Sequence, residues 1–145
     1  MPLEVTEMTA LLNHILNNAD WPNIGDAAGL LASAGDGNMY ISLHTADPAG
    51  GDQTTSEAAY TSYARVAVSR AGAGWTVTAA NGSNAAEVLF ETATGGDEEE
   101  TYFGVGFAAS GAGNLLASAI LGTARPVVSG VTPRFPIGEL DFNVT

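Results

Sequence analysis

Apolar side chains recur with the period of a helix near the start of the chain. Between residues 6 and 17 they fall at i, i+3, i+4, i+7 and i+8, the spacing of a helix with one buried face. These positions are Met8, Leu11, Leu12, Ile15 and Leu16. Thr6 can act as an N-cap by accepting from the free N–H groups of the first turn. The pattern therefore predicts an amphipathic N-terminal helix over residues 6–17.

Turn-forming residues follow this helix. Asn17-Asn18 favours a chain reversal, and Pro22 disfavours helix at Trp21 because the proline ring crowds the α conformation of the preceding residue. A second, short helical piece is predicted over residues 26–34, where Gly35-Asp36-Gly37 would end it.

From Met39 onward the period of the apolar pattern changes to two, the period of a strand. The later segments are short, contain β-branched or aromatic residues and are separated by turn signals. The predicted strands are residues 39–45, 63–69, 75–78, 86–90, 102–108, 115–121, 127–128 and 139–144. Turns are predicted at Gly72-Ala73-Gly74, Asn81-Gly82, Gly95-Gly96, Ser110-Gly111 and Ser129-Gly130.

About eight short strands at this spacing predict a mainly β fold, a β-sandwich or jelly roll over residues 39–145 with the helix at its N-terminus. The length of 145 residues fits one domain, residues 1–145, and no internal repeat is visible. Charged residues make up 14% of the chain, against about 25% in an average soluble domain. The low charge suggests that neighbours partly cover the outer faces of the β body.

Two loops are longer than a turn requires. The first, residues 46–59, has little apolar content and is expected on the surface. The second contains the four consecutive acids of residues 97–100, which are expected to repel one another and stay solvated. Either loop could be the contact element of an assembly.

The charge balance is strongly acidic. Sixteen acidic residues stand against four arginines and no lysine, for a formal net charge of −12. Nucleic acid is not expected as a partner, because phosphate binding depends on neutralisation by Lys and Arg. Anionic membranes are disfavoured for the same electrostatic reason. The acidity favours solubility and could complement a basic patch on a partner.

The chain has no cysteine, so neither disulfide nor thiolate chemistry is available. Its stability is expected to come from packing or assembly. No apolar run approaches the ~20 residues that a bilayer requires, and the first residues lack the pattern of a secretory signal. Synthesis in the cytoplasm is the simplest expectation.

Few residues suggest chemistry. The imidazole of His44 and the carboxylate of Asp47 could act together as a general base or ligate zinc, but no clustered histidines or carboxylates surround them. The structural interpretation is favoured: His44 hydrogen-bonds turn backbone, and Asp47 before Pro48 starts a turn. Ser110 lacks the spacing of a serine elbow. The acidic run of residues 97–100 lacks the spacing of a calcium loop. We expect no enzyme activity and no cofactor or metal.

The four arginines have separate expected roles. Arg65 and Arg70 lie at predicted strand positions in an acidic protein, where a guanidinium favours bidentate pairing with a carboxylate. Arg65 is expected to pair with Glu57 or another acid near the first loop. Arg125 and Arg134, which lie near prolines, are expected at surface or subunit contacts. The candidate structural and interaction residues are Arg65, Glu57, His44, Asp47, Arg125 and Arg134.

Three segments carry a resemblance to a known family. They are YISLHTADP over residues 40–48, YTSYARVAV over residues 60–68 and GVGFAASGAGNLL over residues 104–116. With the N-terminal helix and a Gly/Gln/Thr loop between the first two segments, they resemble bacteriophage virion proteins described as tail-fibre or capsid-decoration components. The resemblance covers nearly the whole chain.

The resemblance implies a virion structural protein. We expect a capsid decoration or cement protein that binds the major capsid protein on the outside of the assembled head, as a homo-oligomer with a trimer favoured. The alternative is a tail-associated protein of a fibre or tip, although a long fibre would normally show repeats or heptads. A third alternative, a carbohydrate-binding or hydrolytic module, would need exposed aromatics, and only Trp21 and Trp75 are available among tryptophans.

Overall fold

The computed structural model describes residues 1–144, and the chain is mainly β, with 38% of residues in strands and 8% in helix. The fold class predicted from the sequence is thereby confirmed, including antiparallel sheets consistent with a β-sandwich. The elements are α1 (Val5–Leu16), β1 (Asn38–His44), β2 (Val66–Ser69), β3 (Trp75–Thr78), β4 (Asn81–Asn84), β5 (Val88–Leu89), β6 (Asp97–Gly106), β7 (Leu115–Val128), β8 (Arg134–Phe135) and β9 (Asp141–Asn143).

Two compact units make up the described chain. The first unit contains residues 1–37, 69–87 and 135–144, and the second unit contains residues 38–68 and 88–134. Both units are discontinuous in sequence, so no single linker separates them. That residues 1–145 act as one domain stays a prediction.

In the first unit, α1 packs on the antiparallel sheet β3-β4-β9. The apolar stripe predicted for this helix is confirmed, since Met8, Leu12 and Leu16 are its buried residues. Leu16 approaches the sheet closely at Gly82, where a β-carbon would lie 2.5 Å from Leu16 Cδ1. Gly82 therefore serves close packing of the helix on β4. The predicted turn at Asn81-Gly82 is wrong, because the reversal between β3 and β4 occurs at Ala79, with φ at 53°.

Two expectations for the N-terminal region are also wrong. Thr6 lies inside α1, whose N-cap is Glu4 without a side-chain hydrogen bond. Residues 26–34 form no helix. Instead, Trp21 and Leu30 pair through two backbone hydrogen bonds of 2.8 and 2.9 Å, and the Asp26 carboxylate accepts from Ala28 and Gly29 N–H. Local carboxylate bonding of this kind favours turns over helix.

In the second unit, four strands form an antiparallel sheet in the order β2-β1-β6-β7. Its central strand β1 is buried on both faces. Ile41 pairs with Val105 and Leu43 with Phe103 across to β6, and Ile41, Leu43 and Val105 are fully buried. Ser42 and His44, on the opposite face of β1, are fully buried as well. This second buried face is where the polar cluster described below lies.

The acidic run of residues 97–100 was expected as a solvated loop, and this expectation is wrong. These residues begin β6 and pair with β7, with Glu98 opposite Val127 and Glu100 opposite Arg125. Strand alternation turns Asp97 and Glu99 to solvent and the other two acids inward, so Glu100 is fully buried.

Strand β7 is longer than expected because two predicted strands, residues 115–121 and 127–128, are joined in one. Ile120 opposes Tyr102 and Arg125 opposes Glu100, so residues 121–124 bulge opposite Thr101 alone. The short strand β8 was not predicted.

Candidate functional site: the Glu57–Arg65 cluster

Arg65 and Glu57 form a bidentate ion pair in the second unit. Arg65 Nε donates to Glu57 Oε1 at 2.6 Å, and Arg65 Nη2 donates to Glu57 Oε2 at 2.7 Å. The Arg65 side chain is 2% exposed and that of Glu57 16%. The hydrogen bonds that Arg65 donates to the Glu57 carboxylate raise the pKa of Arg65. The pairing expected from the sequence is present, and it lies out of solvent, where such a pair is weakly screened.

The remaining Arg65 contacts join two loops. Arg65 Nη1 donates to the carbonyl oxygen of Ala108 at 2.9 Å, and Nη2 also donates to that of Gly111 at 2.9 Å. Glu57 lies near the end of the long loop predicted over residues 46–59, whereas Ala108 and Gly111 belong to the glycine-rich loop between β6 and β7. Four of the five guanidinium N–H donors thus hold these loops together.

Tyr63 completes the cluster. Its hydroxyl donates to Glu57 Oε1 at 2.9 Å and accepts from Leu43 N–H at 3.2 Å. Its ring packs edge-on against Tyr60, with centroids 5.3 Å apart, and parallel to Phe90 at 6.2 Å. Burial, with Glu57 nearby, raises the pKa of Tyr63, so the hydroxyl stays protonated and keeps donating to Glu57.

His44 forms a second buried hydrogen-bond chain. Its Nδ1 lies 2.9 Å from Thr55 O, and its Nε2 lies 2.8 Å from Ser42 Oγ. Since a carbonyl oxygen only accepts, Nδ1 carries the proton and Nε2 accepts from the Ser42 hydroxyl. Desolvation lowers the pKa of His44, which favours this neutral form. The bond to Thr55 is the turn-backbone contact expected from the sequence.

The Ser42–His44 pair has the contact distance of a nucleophile and its base, but not the access. Both side chains are fully buried, so a substrate has no route to the serine hydroxyl. A β-carbon at Gly104 would come within 2.8 Å of both side chains, which leaves no room for a further group. The pair therefore fixes the long loop against β1, where His44 and Glu57 also form a backbone bridge.

Gln53, which was not predicted as a site residue, connects the same two loops at a second point. Its backbone N–H donates to Gly113 O, and its Oε1 accepts from Ala108 N–H, both at 2.9 Å. The side chain is fully buried, which contradicts the expectation that loop 46–59 lies wholly on the surface. It fills the space over Gly106 and Gly113, where β-carbons would lie 2.2 and 2.4 Å from its atoms. The glycines at these two positions were the one available signal.

A cavity of about 240 Å³ opens beside the ion pair. Its walls are Tyr63, Ala64, the Glu57–Arg65 pair and the turn Ala109-Ser110-Gly111. The charged groups in the wall already bond to each other and to backbone. Among the described residues, neither histidine bonds to Ser110, because His44 bonds to Ser42 and Thr55 and His14 bonds to Ala19.

The other sequence-predicted residues lie outside this cluster. Asp47 accepts from Ala49 N–H at 2.9 Å in an exposed turn, the role expected for it, and so does not join His44. Arg125 is half-buried and donates through Nη1 to the carbonyl oxygen of Arg134, whose side chain is exposed. That Arg125 and Arg134 contact another subunit stays a prediction.

Arg70 departs from its expected carboxylate pairing. It donates to Ile15 O at 2.7 Å and to His14 O at 2.8 Å, at the C-terminal end of α1 within the first unit. A cation at this position satisfies free helix carbonyls and opposes the helix dipole.

Residues 1–144 contain no group of three or more His, Cys, Asp or Glu side chains placed to hold a metal ion. Over the same residues, no helix has both the length and the apolar character needed to cross a membrane.

The β-rich fold, with its interlocked loops, belongs to a bacteriophage structural protein, as the resemblance in the sequence implied. A family model described as Podophage GP4 fiber I protein gp80 matches residues 5–143. Because the match spans nearly the whole chain, the protein belongs to this fibre-protein family. No curated protein matches the chain.

Proposed function

We propose that the chain is a non-enzymatic structural subunit of a tail-associated fibre on the phage virion. The observation that carries this proposal is the match of residues 5–143 to a family described by a fibre protein. The capsid-decoration role expected from the sequence becomes the second candidate, because the family name favours the tail-associated alternative.

The polar clusters support a structural role. The polar side chains of the two clusters form hydrogen bonds with one another or with nearby backbone groups. These side chains are Arg65, Glu57, Tyr63, His44 and Ser42, and none of them is an activated nucleophile or base that faces solvent. Such internal saturation rigidifies a domain and contributes nothing to substrate turnover.

Assembly is supported by exposed apolar side chains. Phe107 and Ile120 are 52% and 67% exposed in the second unit, and Leu31 and Ile137 are 65% and 69% exposed in the first. Exposed apolar side chains mark an interaction surface where they form one contiguous patch, and self-association would cover them. We propose self-association into a homo-oligomer, for which a trimer was favoured from the sequence. The charge of −12 argues against nucleic acid and anionic membranes as partners.

Capsid decoration is supported by one feature of the sequence, the absence of the repeats or heptads of a long fibre. In that case the chain would bind the major capsid protein on the outer surface of the head. The carbohydrate-binding alternative has less support, because Trp75 is 1% exposed and the indole N–H of Trp21 donates to Glu7 at 2.8 Å.

Cross-linking mass spectrometry on intact virions tests the proposal. The chain has no lysine, so an acid-reactive cross-linker that joins its 16 carboxylates to amines on neighbours is the suitable reagent. Cross-links to tail or fibre proteins are the expected result. Cross-links confined to the major capsid protein would overturn the fibre proposal and establish the second candidate. Virions dissociated before the reaction provide the control for chance contacts.

A further inference from the structure

Two carboxylates on the inward face of β6 are not explained by the proposed function. Glu98 and Glu100 are two residues apart on the strand, so both side chains lie on the same face. Glu98 Oε1 accepts from the backbone N–H groups of Ala59 at 2.9 Å and Tyr60 at 2.7 Å. Glu98 therefore holds the backbone at the point where the long loop ends.

Glu100 is fully buried, and in the described chain neither of its carboxylate oxygens has a hydrogen-bond partner. A buried carboxylate without donors is strongly unfavourable. Two ionised carboxylates cannot bond to each other because both only accept. A proton on Glu100 removes the difficulty, since the acid can then donate to Glu98, which lies within side-chain hydrogen-bond reach.

The groups that face this pair come from three segments. Tyr60 follows the long loop and is 3% exposed, and burial, with the charges of Glu100 and Glu98, raises the pKa of Tyr60 to about 12. Arg125 lies opposite Glu100 on β7, and its guanidinium donates to Arg134 O. Glu91 acts on the same tyrosine and adds negative charge. Tyr60 is therefore neutral at physiological pH and does not counter the charge of the pair.

We propose that Glu98 and Glu100 share one proton and form a pH-dependent clamp on the Ala59–Tyr60 backbone. With the proton bound, Glu98 keeps its hydrogen bonds from the backbone N–H groups of Ala59 and Tyr60. Loss of the proton at high pH places a second negative charge beside Glu98 in a buried site, and the segment loosens. The inference stands on the second unit alone and is independent of where the protein lies on the virion.

The direction of the pH effect follows from the titration of Glu100. Burial first, then the neighbouring Glu98 carboxylate, to which only the protonated acid can donate, raises the pKa of Glu100 from 4.5 to about 8. The folded protein therefore holds a proton that the unfolded chain releases near 4.5. The stabilisation is fully present below the unfolded value and is lost as the pH rises to about 8.

The experiment combines two measurements on the whole chain. The carboxyl ¹³C shift of Glu100 is followed by NMR from pH 4 to pH 10, and amide hydrogen exchange at Ala59 and Tyr60 is measured at pH 7 and pH 9 and corrected for intrinsic rates. We expect the Glu100 titration to have its midpoint near pH 8. We also expect the protection of both amides against exchange to fall about tenfold between pH 7 and pH 9. The variant E100Q, whose amide can donate to Glu98 without titrating, is expected to keep its protection at pH 9.

The matched control is E99Q, which makes the same charge change one residue away on the exposed face. It is expected to lose protection as the native chain does. A Glu100 shift with its midpoint near 4–5 in the native protein would overturn the proposal, and so would equal loss of protection in E100Q and the native chain. The NMR titration decides the question even where E100Q does not fold.

Discussion

The side chain of Gln53 occupies the position that a β-carbon on Gly106 would take, which lies 2.2 Å from Gln53 Cδ. Gln53 is fully buried there and accepts a hydrogen bond from Ala108 N–H. A polar side chain from one loop thus packs directly on the backbone of β6. This contact makes the glycine at position 106 a requirement of the loop arrangement.

Gly106→Ala is expected to lower the free energy of unfolding by about 1–3 kcal/mol, the usual cost of overpacking a filled site. Gly122→Ala is the matched control, because a β-carbon at Gly122 in β7 would meet no atom within 4 Å. Urea unfolding of both variants measures the difference. Equal stability of the two variants would show that Gln53 does not fill this space.

The Glu57–Arg65 pair is expected to couple strongly. Arg65→Met removes the hydrogen bonds to Glu57 and to two backbone carbonyls and leaves Glu57 without its cation. We therefore expect the free energy of unfolding to fall by about 3 kcal/mol. A double-mutant cycle with Glu57→Gln isolates the pairwise part. We expect a coupling energy above ~1 kcal/mol, the upper range of exposed pairs. Additive effects within ~0.3 kcal/mol would contradict the geometry described.

Arg65→Lys tests the two-loop connection separately. Lysine keeps the charge but lacks the planar fork that bonds Glu57, Ala108 and Gly111 at once. We expect faster amide exchange in the loop between β6 and β7 with the ion pair partly kept. Unchanged exchange in that loop would mean that the charge alone holds it.

His44 is expected to be neutral with its proton on Nδ1. Burial lowers the pKa of His44 below 6.5, so near pH 6.5 the unfolded chain binds a proton while His44 of the folded chain stays neutral. Its contribution to stability is full above pH 6.5 and declines as the pH falls towards the folded pKa. Long-range ¹H–¹⁵N NMR at pH 6 measures the tautomer directly. A protonated ring, or a proton on Nε2, would contradict the Ser42–His44–Thr55 chain.

Arg70 is expected to stabilise the end of α1. Arg70→Ala removes two charge-assisted hydrogen bonds to helix carbonyls, each worth about 1.5–3 kcal/mol. We expect the substitution to accelerate amide exchange more over residues 13–17 than over residues 8–12, relative to the native chain, as measured by mass spectrometry. Uniform acceleration along α1 would indicate global destabilisation in place of a lost cap.

The sequence predicted those features that depend on local pattern. The apolar spacing of α1 and the alternation of β1 and β3 were sufficient, since periodicity reports which face is buried. The Glu57–Arg65 pair was also within reach, because cations are few and the two residues are close in the chain.

The remaining features depend on contacts distant in sequence. The burial of Gln53 requires Gly106 and Gly113, more than fifty residues away, and nothing in its own loop indicates it. Glu100 lies in an acidic run that resembles a solvated loop until β7 pairs with it. Turn propensity at Asn81-Gly82 was overridden by the packing of Leu16 on Gly82. In each case tertiary packing outweighed a local preference.

The central claim, a structural subunit of a tail-associated fibre, is tested most directly by gold-labelled antibody against this protein on intact virions, viewed by electron microscopy. We predict label on the tail and its fibres, with pre-immune serum as the control. Label spread over the icosahedral facets of the head would contradict the claim and establish capsid decoration.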